Sequence, residues 1–274
     1  MAKYSRIEWT DATWSPVTGC TPISEGCQNC YAQRMAKRLA GRCGYPAEEP
    51  FRVTLHPERL DEPLKWKKPR KVFVCSMGDL FHEDVPDEFV WKVFDVMFEA
   101  GGDKHIYLIL TKRPERMHKF IRNIEDWDSS EAPHIWLGVT AENQQRADER
   151  IPILLQIPAA VRFISVEPML GPIRLQRDWL MCPGGAEYGH GMSLTRVHAG
   201  GCCDRHPRIH WVICGSESGP NHRKTKIEWI RDLREQCISA NVPFFLKQME
   251  INGRMVKMPE LDGKIWAQFP EVKP

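Results

Sequence analysis

Cys20, Cys27 and Cys30 fall within eleven positions in Ser15-Pro16-Val17-Thr18-Gly19-Cys20, six residues, then Cys27-Gln28-Asn29-Cys30-Tyr31-Ala32. Glycines precede the first two cysteines, and thiolates so spaced can fold round one metal centre. A closed structural zinc site typically takes four ligands, whereas three thiolates suit an iron–sulfur cluster that leaves one iron open to a substrate or cofactor. An open iron means chemistry. Two blander readings stand beside this one. The three are simply part of the chain's ten cysteines, or they form a zinc site completed by Cys43, because Cys-x2-Cys is a common zinc half-site.

The 274 residues are enough for one large α/β domain, and no Pro/Gly/Ser linker divides them, so a single domain over 1–274 is expected. The first twenty residues lack an apolar core. No run of about 18 apolar residues is present to cross a bilayer, which predicts a cytoplasmic protein with no membrane partner. In that compartment thiols stay reduced, so the cysteines are free or metal-bound rather than a disulfide framework. A net charge of +2 from 38 basic and 36 acidic residues gives no strong general attraction to nucleic acid. The dense basic run Lys65-Trp66-Lys67-Lys68-Pro69-Arg70-Lys71 can either contact phosphates and stack a base or form a solvated loop before a strand.

The cysteines need a scaffold. Short β-rich apolar runs recur at 72–75, 105–110, 135–139, 161–166, 211–214 and 243–246, as expected of parallel strands buried on both faces. Between them, Asp87–Phe98 is apolar at 89, 90, 93, 94, 97 and 98, and Glu228–Cys237 has similar periodicity, so both read as amphipathic helices. This alternation predicts repeated βα units and a parallel barrel. The runs end in Ser76-Met77-Gly78-Asp79, Thr111-Lys112-Arg113, Thr140-Ala141-Glu142-Asn143, Glu167-Pro168, Gly215-Ser216-Glu217-Ser218-Gly219 and Lys247-Gln248. Re-entry of the chain into water explains part of that polarity. It explains less well Glu167, set directly after Phe163-Ile164-Ser165-Val166, or the paired cations Lys112 and Arg113. In a parallel barrel the C-terminal strand ends share one face, so these groups would converge on one mouth suited to a zwitterionic ligand.

With these residues in view, the chain resembles the spore photoproduct lyase-like branch of the radical S-adenosylmethionine superfamily. The match runs through Pro16, Gly19, Cys20, Gly26, Cys27, Cys30, Tyr31 and Ala32, then Asp79 with Glu83, then Thr111-Lys112. Ile7-Glu8-Trp9-Thr10, Leu110–Arg116, Ser165-Val166-Glu167-Pro168 and Gly215–Pro220 are similar to a family of uncharacterised radical-SAM-like proteins common in phages and prophages. That similarity covers most of the chain apart from about 181–208. One departure is the spacing: the superfamily has Cys-x3-Cys-x2-Cys, and here Thr21-Pro22-Ile23-Ser24-Glu25-Gly26 puts six residues between the first two cysteines. The closure penalty of a loop grows slowly with length, so Cys20 can still return to a cluster.

The resemblance implies a partial (β/α)6-type TIM-like barrel with an N-terminal cluster-binding loop. It implies a [4Fe–4S] cluster on Cys20, Cys27 and Cys30, and S-adenosylmethionine on the open iron. A flavodoxin- or ferredoxin-type donor would supply an electron, giving a 5′-deoxyadenosyl radical that abstracts hydrogen from substrate. Ser76 and Asp79 are candidates for the methionine ammonium or the ribose, with Glu167 doing the same from across the mouth and Thr140 joining the cofactor-facing set. Lys112 and Arg113 meet a carboxylate or substrate phosphate, or else form an internal ion pair. Tyr31 packs over the cluster or fills the barrel. Cys75 and Cys214, at strand ends, are candidates for returning a hydrogen atom to a product radical, or are small buried hydrophobes.

The insert at 181–208 carries Cys182, His190, His198, Cys202, Cys203 and His206 among glycines, either holding zinc or forming a metal-free loop. The leading expectation is a radical S-adenosylmethionine enzyme, with phage nucleic-acid base modification or repair as its setting. The alternatives are a non-catalytic iron–sulfur or zinc protein that binds nucleic acid or a protein partner, and a metal-free barrel hydrolase using Glu167 and Glu217 as acid and base.

Overall fold

A computed structural model of the chain describes residues 5, 7–100, 104–124, 127, 132–181 and 207–271. The strands are β1 (Ala12–Trp14), β2 (Val17–Thr18), β3 (Thr54–Leu55), β4 (Arg70–Val74), β5 (His105–Thr111), β6 (Ile135–Thr140), β7 (Val161–Val166), β8 (Trp211–Gly215), β9 (Phe244–Ile251), β10 (Arg254–Lys257), β11 (Glu260–Leu261) and β12 (Lys264–Ile265). An eight-stranded sheet runs in the order β1-β4-β5-β6-β7-β8-β9-β10, parallel from β1 to β9, with β10 added antiparallel by a hairpin. It curls into a half-barrel, giving an α/β fold. All six apolar runs expected to be strands lie in this sheet. The edge strand β1 is an addition that the sequence does not advertise, because Ala12-Thr13-Trp14 is too short to form an apolar run.

The helices are α1 (Tyr31–Arg38), α2 (Asp87–Ala100), α3 (Pro114–Arg122), α4 (Gln144–Leu155), α5 (Arg177–Leu180) and α6 (Ile227–Ser239). Both helices expected from periodicity are present, each slightly longer than its apolar pattern. On α2 the buried face includes Phe89, Val90, Val93, Phe94, Val96 and Met97, whereas Phe98 is exposed at its edge. Among the described residues no helix is long and apolar enough to cross a membrane.

Alternation of side chains along each strand gives the sheet two apolar faces. One, built of Val72, Val74, Ile109, Leu137, Val139, Ile164, Val166, Val212 and Leu246, joins the apolar faces of the helices in the larger core. The other lines the half-barrel with Trp9, Phe73, Leu108, Trp136, Phe163, Trp211, Ile213 and Phe245. Phe269 from the C-terminal segment stacks against Trp211 at 5.1 Å and Phe245 at 5.4 Å, and Trp211 Nε1 donates to the Gln268 carbonyl at 2.8 Å. This lower part of the lumen is therefore packed solid.

Candidate functional site

Along three neighbouring strands the lumen-facing positions change character from one end to the other. They read Trp136, Gly138, Thr140 on β6, Val161, Phe163, Ser165 on β7, and Trp211, Ile213, Gly215 on β8. Two residues beyond each set comes a glutamate: Glu142, Glu167 and Glu217. Bulk fills the bottom, where the Phe163 ring occupies the space over Gly138, and carboxylates ring the top, with that of Glu167 lying against Gly215. Each carboxylate has a cation. Arg150 Nη1 donates to Glu142 at 2.7 Å, Lys247 Nζ lies 3.0 Å from Glu167, and Arg223 Nε donates to Glu217 at 2.9 Å.

The cysteine loop is laced across these strand ends. Gly19 adopts a left-handed backbone (φ +85°), and a Cβ there would collide with the Arg52 carbonyl, which accounts for glycine before the first cysteine. Gly19 also bridges to Gly78 beyond β4. Cys20 is then held by Arg113, a buried cation just after β5. Its guanidinium donates to Cys20 Sγ at 3.4 Å, to the Thr21 carbonyl at 3.2 Å and Oγ1 at 3.0 Å, to Asp79 at 3.3 Å, and to both Glu83 oxygens. Burial pushes the Cys20 thiol up to about 11, with the Asp79 carboxylate adding to the rise and Arg113 opposing it.

The spacer before Cys27 is ordered rather than looped out. Glu25–Cys27 form one turn of 3-10 helix. Thr21 Oγ1 lies 2.8 Å from His82 Nε2, Ser24 Oγ donates to Glu142 at 2.5 Å, and Glu25 pairs with Arg146 at 3.0 Å. Ser24 Oγ also lies 3.7 Å from Cys27 Sγ. Burial opposes ionisation of Cys27, but the Lys112 ammonium and hydrogen bonds from the Ile23–Ser24 segment outweigh it and lower the pKa.

Cys30 precedes α1 and is fixed through its neighbours. Asn29 Nδ2 donates to Glu217 at 2.9 Å, the Tyr31 hydroxyl donates to the Ser76 carbonyl, and Arg34 donates to the Ser218 carbonyl at 2.8 Å. Tyr31 is exposed as a residue, yet enclosure of its hydroxyl end raises that group's pKa. Arg223 completes the lacing by donating to the Glu25 carbonyl at 2.9 Å and to Gln28.

The structure thus gathers Cys20, Cys27, Cys30, Tyr31, Ser76, Asp79, Lys112, Thr140 and Glu167 around the C-terminal strand ends, but several of them are already engaged. Asp79 accepts from the Phe81 and Lys112 amides, the Thr111 hydroxyl and Arg113, so it organises the end of β5 rather than facing a ligand. Lys112 lies 3.5 Å from Glu142, and the Thr140 carbonyl accepts from Arg150 at 2.8 Å. Cys75 and Cys214 are not part of this gathering. Both are buried with the helix-side core; Cys75 is pushed up to about 12 by burial, and Cys214 points its thiol at Met169 Sδ, 3.7 Å away. Their surroundings match the reading as small hydrophobes.

Four engaged residues escaped the sequence reading as site members: Glu142, Arg150, Arg223 and Asn29. Glu142 had the signal that singled out Glu167, a carboxylate at a strand tip. Ser216, also at a tip, keeps a buried hydroxyl with no partner among the described residues. Glu217 makes a poor acid or base. Burial alone would raise its pKa, but Arg223 and Asn29 overcome that and hold it at about 2. This argues against the Glu167/Glu217 hydrolase.

The basic run sits elsewhere. It enters β4 at the end of the sheet opposite the cysteines, where Trp66 packs edge-on to His105 at 5.6 Å beneath the Arg70 guanidinium, and Lys71 Nζ caps Phe269 at 3.8 Å. Its tryptophan is used internally. Residues 182–206, with the cysteines and histidines of the insert, lie outside the described residues.

As a set, the loop fits a thiophilic metal centre in donor chemistry: three free, half-buried thiols, with Arg113 and Lys112 beside two of them to offset thiolate charge. Among the described residues no group of three or more His, Cys, Asp or Glu side chains is already drawn together as a metal-holding set. A family model described as "Protein of unknown function (DUF5131)" matches residues 4–270, and the chain belongs to that family. No curated protein matches the chain, and no solved structure does.

Proposed function

We propose that this member of the DUF5131 family is a radical S-adenosylmethionine enzyme on a partial (β/α)6-type barrel, with Cys20, Cys27 and Cys30 holding a [4Fe–4S] cluster. The observation that carries this reading is the seating of a three-cysteine loop across the C-terminal ends of parallel strands, amid buried cations and carboxylates. When bound, the cluster and S-adenosylmethionine supply one-electron cleavage of the sulfonium and a 5′-deoxyadenosyl radical for hydrogen abstraction.

The chain's own residues bind, orient and screen. Arg113 and Lys112 offset the charge that thiolates bring into a half-buried site, and the lacing of residues 21–31 fixes where the thiols stand. The Glu167–Lys247 pair, partly exposed at the mouth, is the group best placed to meet a zwitterionic ligand. Ser76, Thr140 and Tyr31 line the same mouth. The electron donor is of flavodoxin or ferredoxin type, the compartment is the cytoplasm, and the substrate class is nucleic acid or a modified nucleotide in a phage setting. The donor and the substrate class rest on the family resemblance, the latter also on the basic run at 65–71, and the compartment rests on the want of a long apolar run in the sequence.

Anaerobic purification with iron and sulfide analysis tests the reading, followed by electron paramagnetic resonance of the reduced protein with and without S-adenosylmethionine. About four irons per chain and a spectrum that shifts with S-adenosylmethionine are expected. Zinc in place of iron, or a spectrum indifferent to S-adenosylmethionine, would leave a non-catalytic metal protein that binds nucleic acid or a partner.

A further inference from the structure

Glu142 is the most completely enclosed carboxylate at the mouth, with 0% exposure. Its two oxygens take three partners from three parts of the chain: Arg150 of α4 on Oε2 at 2.7 Å, and Ser24 Oγ at 2.5 Å and Lys112 Nζ at 3.5 Å on Oε1. Gly26 lies directly against it, since a Cβ on Gly26 would collide with the Glu142 carboxylate. The segment entering Cys27 is therefore shaped to this one side chain, by a hydroxyl where a bond is made and by a missing Cβ where room is needed.

We infer that Glu142 is a positioning residue for the cysteine loop, fixing the 21–26 spacer on the sheet so that Cys20 and Cys27 take up a metal as a set despite the six residues between them. This rests on the metal-binding part of the reading above. Two further points support it. First, the group is not balanced in charge: one carboxylate faces two cations, Arg150 at 2.7 Å and Lys112 at 3.5 Å, which leaves one positive charge over beside the spacer. Second, Thr21 on Arg113 ties the start of the spacer, and Ser24 and Gly26 on Glu142, with Glu25 on Arg146 between them, tie the half that enters Cys27. A role confined to neutralising Arg150 would account for neither the Ser24 bond nor the contact with Gly26.

Removing the buried carboxylate strands Arg150 and endangers the fold, so the test alters the loop side instead. Metal-free wild type, Ser24→Ala, Ser24→Thr, Gly26→Ala and Cys27→Ser are titrated with cadmium, reading the thiolate-to-cadmium charge-transfer band, with thermal melting of each and iron–sulfide reconstitution in parallel. Wild type is expected to bind through three thiolates. Ser24→Ala should bind roughly tenfold more weakly, the usual effect of losing a group that orients a ligand, with only a small fall in melting temperature, whereas Gly26→Ala, whose Cβ has to displace the buried Glu142 carboxylate, should weaken binding at least as much and lower the melting temperature as well. Ser24→Thr, which keeps the hydroxyl, should recover most of the affinity. Wild-type cadmium affinity in both Ser24→Ala and Gly26→Ala overturns the inference while leaving the functional reading intact. Weakened cadmium binding in those variants, with no iron–sulfur cluster forming in wild type, sinks the radical-enzyme reading and leaves Glu142 in its role. A wild type that takes up neither metal ends both.

Discussion

The two ends of the half-barrel bury opposite kinds of group. Toward the N-terminal ends of the strands, Trp9, Trp136, Phe163, Trp211 and Phe245 fill the lumen and Phe269 closes it. At the C-terminal ends, Glu142, Glu217, Arg113 and Arg150 are almost as well hidden, and each is held by a partner of opposite sign. The aromatic end gains from area removed from water, which is non-directional and tolerant of small shifts. At the charged end each ion is tolerable only while its partner stays in place, so geometry there is specified side chain by side chain. A chain that must hold three thiols in position has placed them where structure is most exacting.

The sharpest way to break this contrast is at the aromatic end. Trp211→Ala should lower stability by about 3–5 kcal/mol, read by chemical denaturation. Metal uptake per folded molecule should be unaffected, and a loss of it would mean that the ends are not separable. A smaller effect is expected at the charged end. Arg223→Ala removes the main partner of Glu217 and should destabilise by about 2 kcal/mol. It should also change the acid profile. Glu217 titrates at about 2 in the folded chain against an ordinary 4.5, so its contribution is complete above that ordinary value and is lost as the pH falls from there towards 2. Denaturation midpoints across this window should fall more steeply for wild type than for the variant.

Cys27→Ser should shift the stability of the metal-free protein by less than about 1 kcal/mol, yet abolish cluster assembly, as measured by iron content and melting together. Smallest of all, Lys67→Ala with Lys68→Ala should stay within about 0.5 kcal/mol of wild type and leave iron content unchanged. These exposed residues lie beyond even the aromatic end, so an altered iron content would contradict that placement.

Much of the scaffold was legible because burial on both faces writes long apolar runs. Ile135–Thr140 and Trp211–Gly215 are buried at every position, and both were readable as strands. The edge strand β1 was not, since three residues carry no periodic signal. At the mouth, the cysteines, Glu167 and Glu217 declared themselves by spacing and by position after a strand, and Glu142 carried the same signal without being singled out. Their partners did not. Arg150 lies within a helix whose other face is polar, and Arg223 follows a turn beyond β8; each reaches back across a loop to a glutamate at neither helical nor strand spacing, because an ion pair is made by the fold and leaves no pattern in neighbouring residues. Phe98 shows the same limit within a helix, where periodicity gave the face but packing against Trp127 and His134 set its edge.

The lacing of the cysteine loop also has a bearing on how the protein is made. The bonds from Asn29 to Glu217 and from Arg223 to Glu25 span 188 and 198 positions of sequence, and that from Ser24 to Glu142 spans 118. During synthesis the thiols precede the groups that hold them, which are translated roughly 6–40 s later at ordinary elongation rates. A nascent chain thus displays Cys27 and Cys30 without these ties until β6 to β8 have been built, whereas Arg113, just after β5, is available to Cys20 sooner. On the proposed reading a cluster is loaded only onto the finished molecule, and the interval before it is when these thiols are most open to oxidation or to capture by the wrong metal.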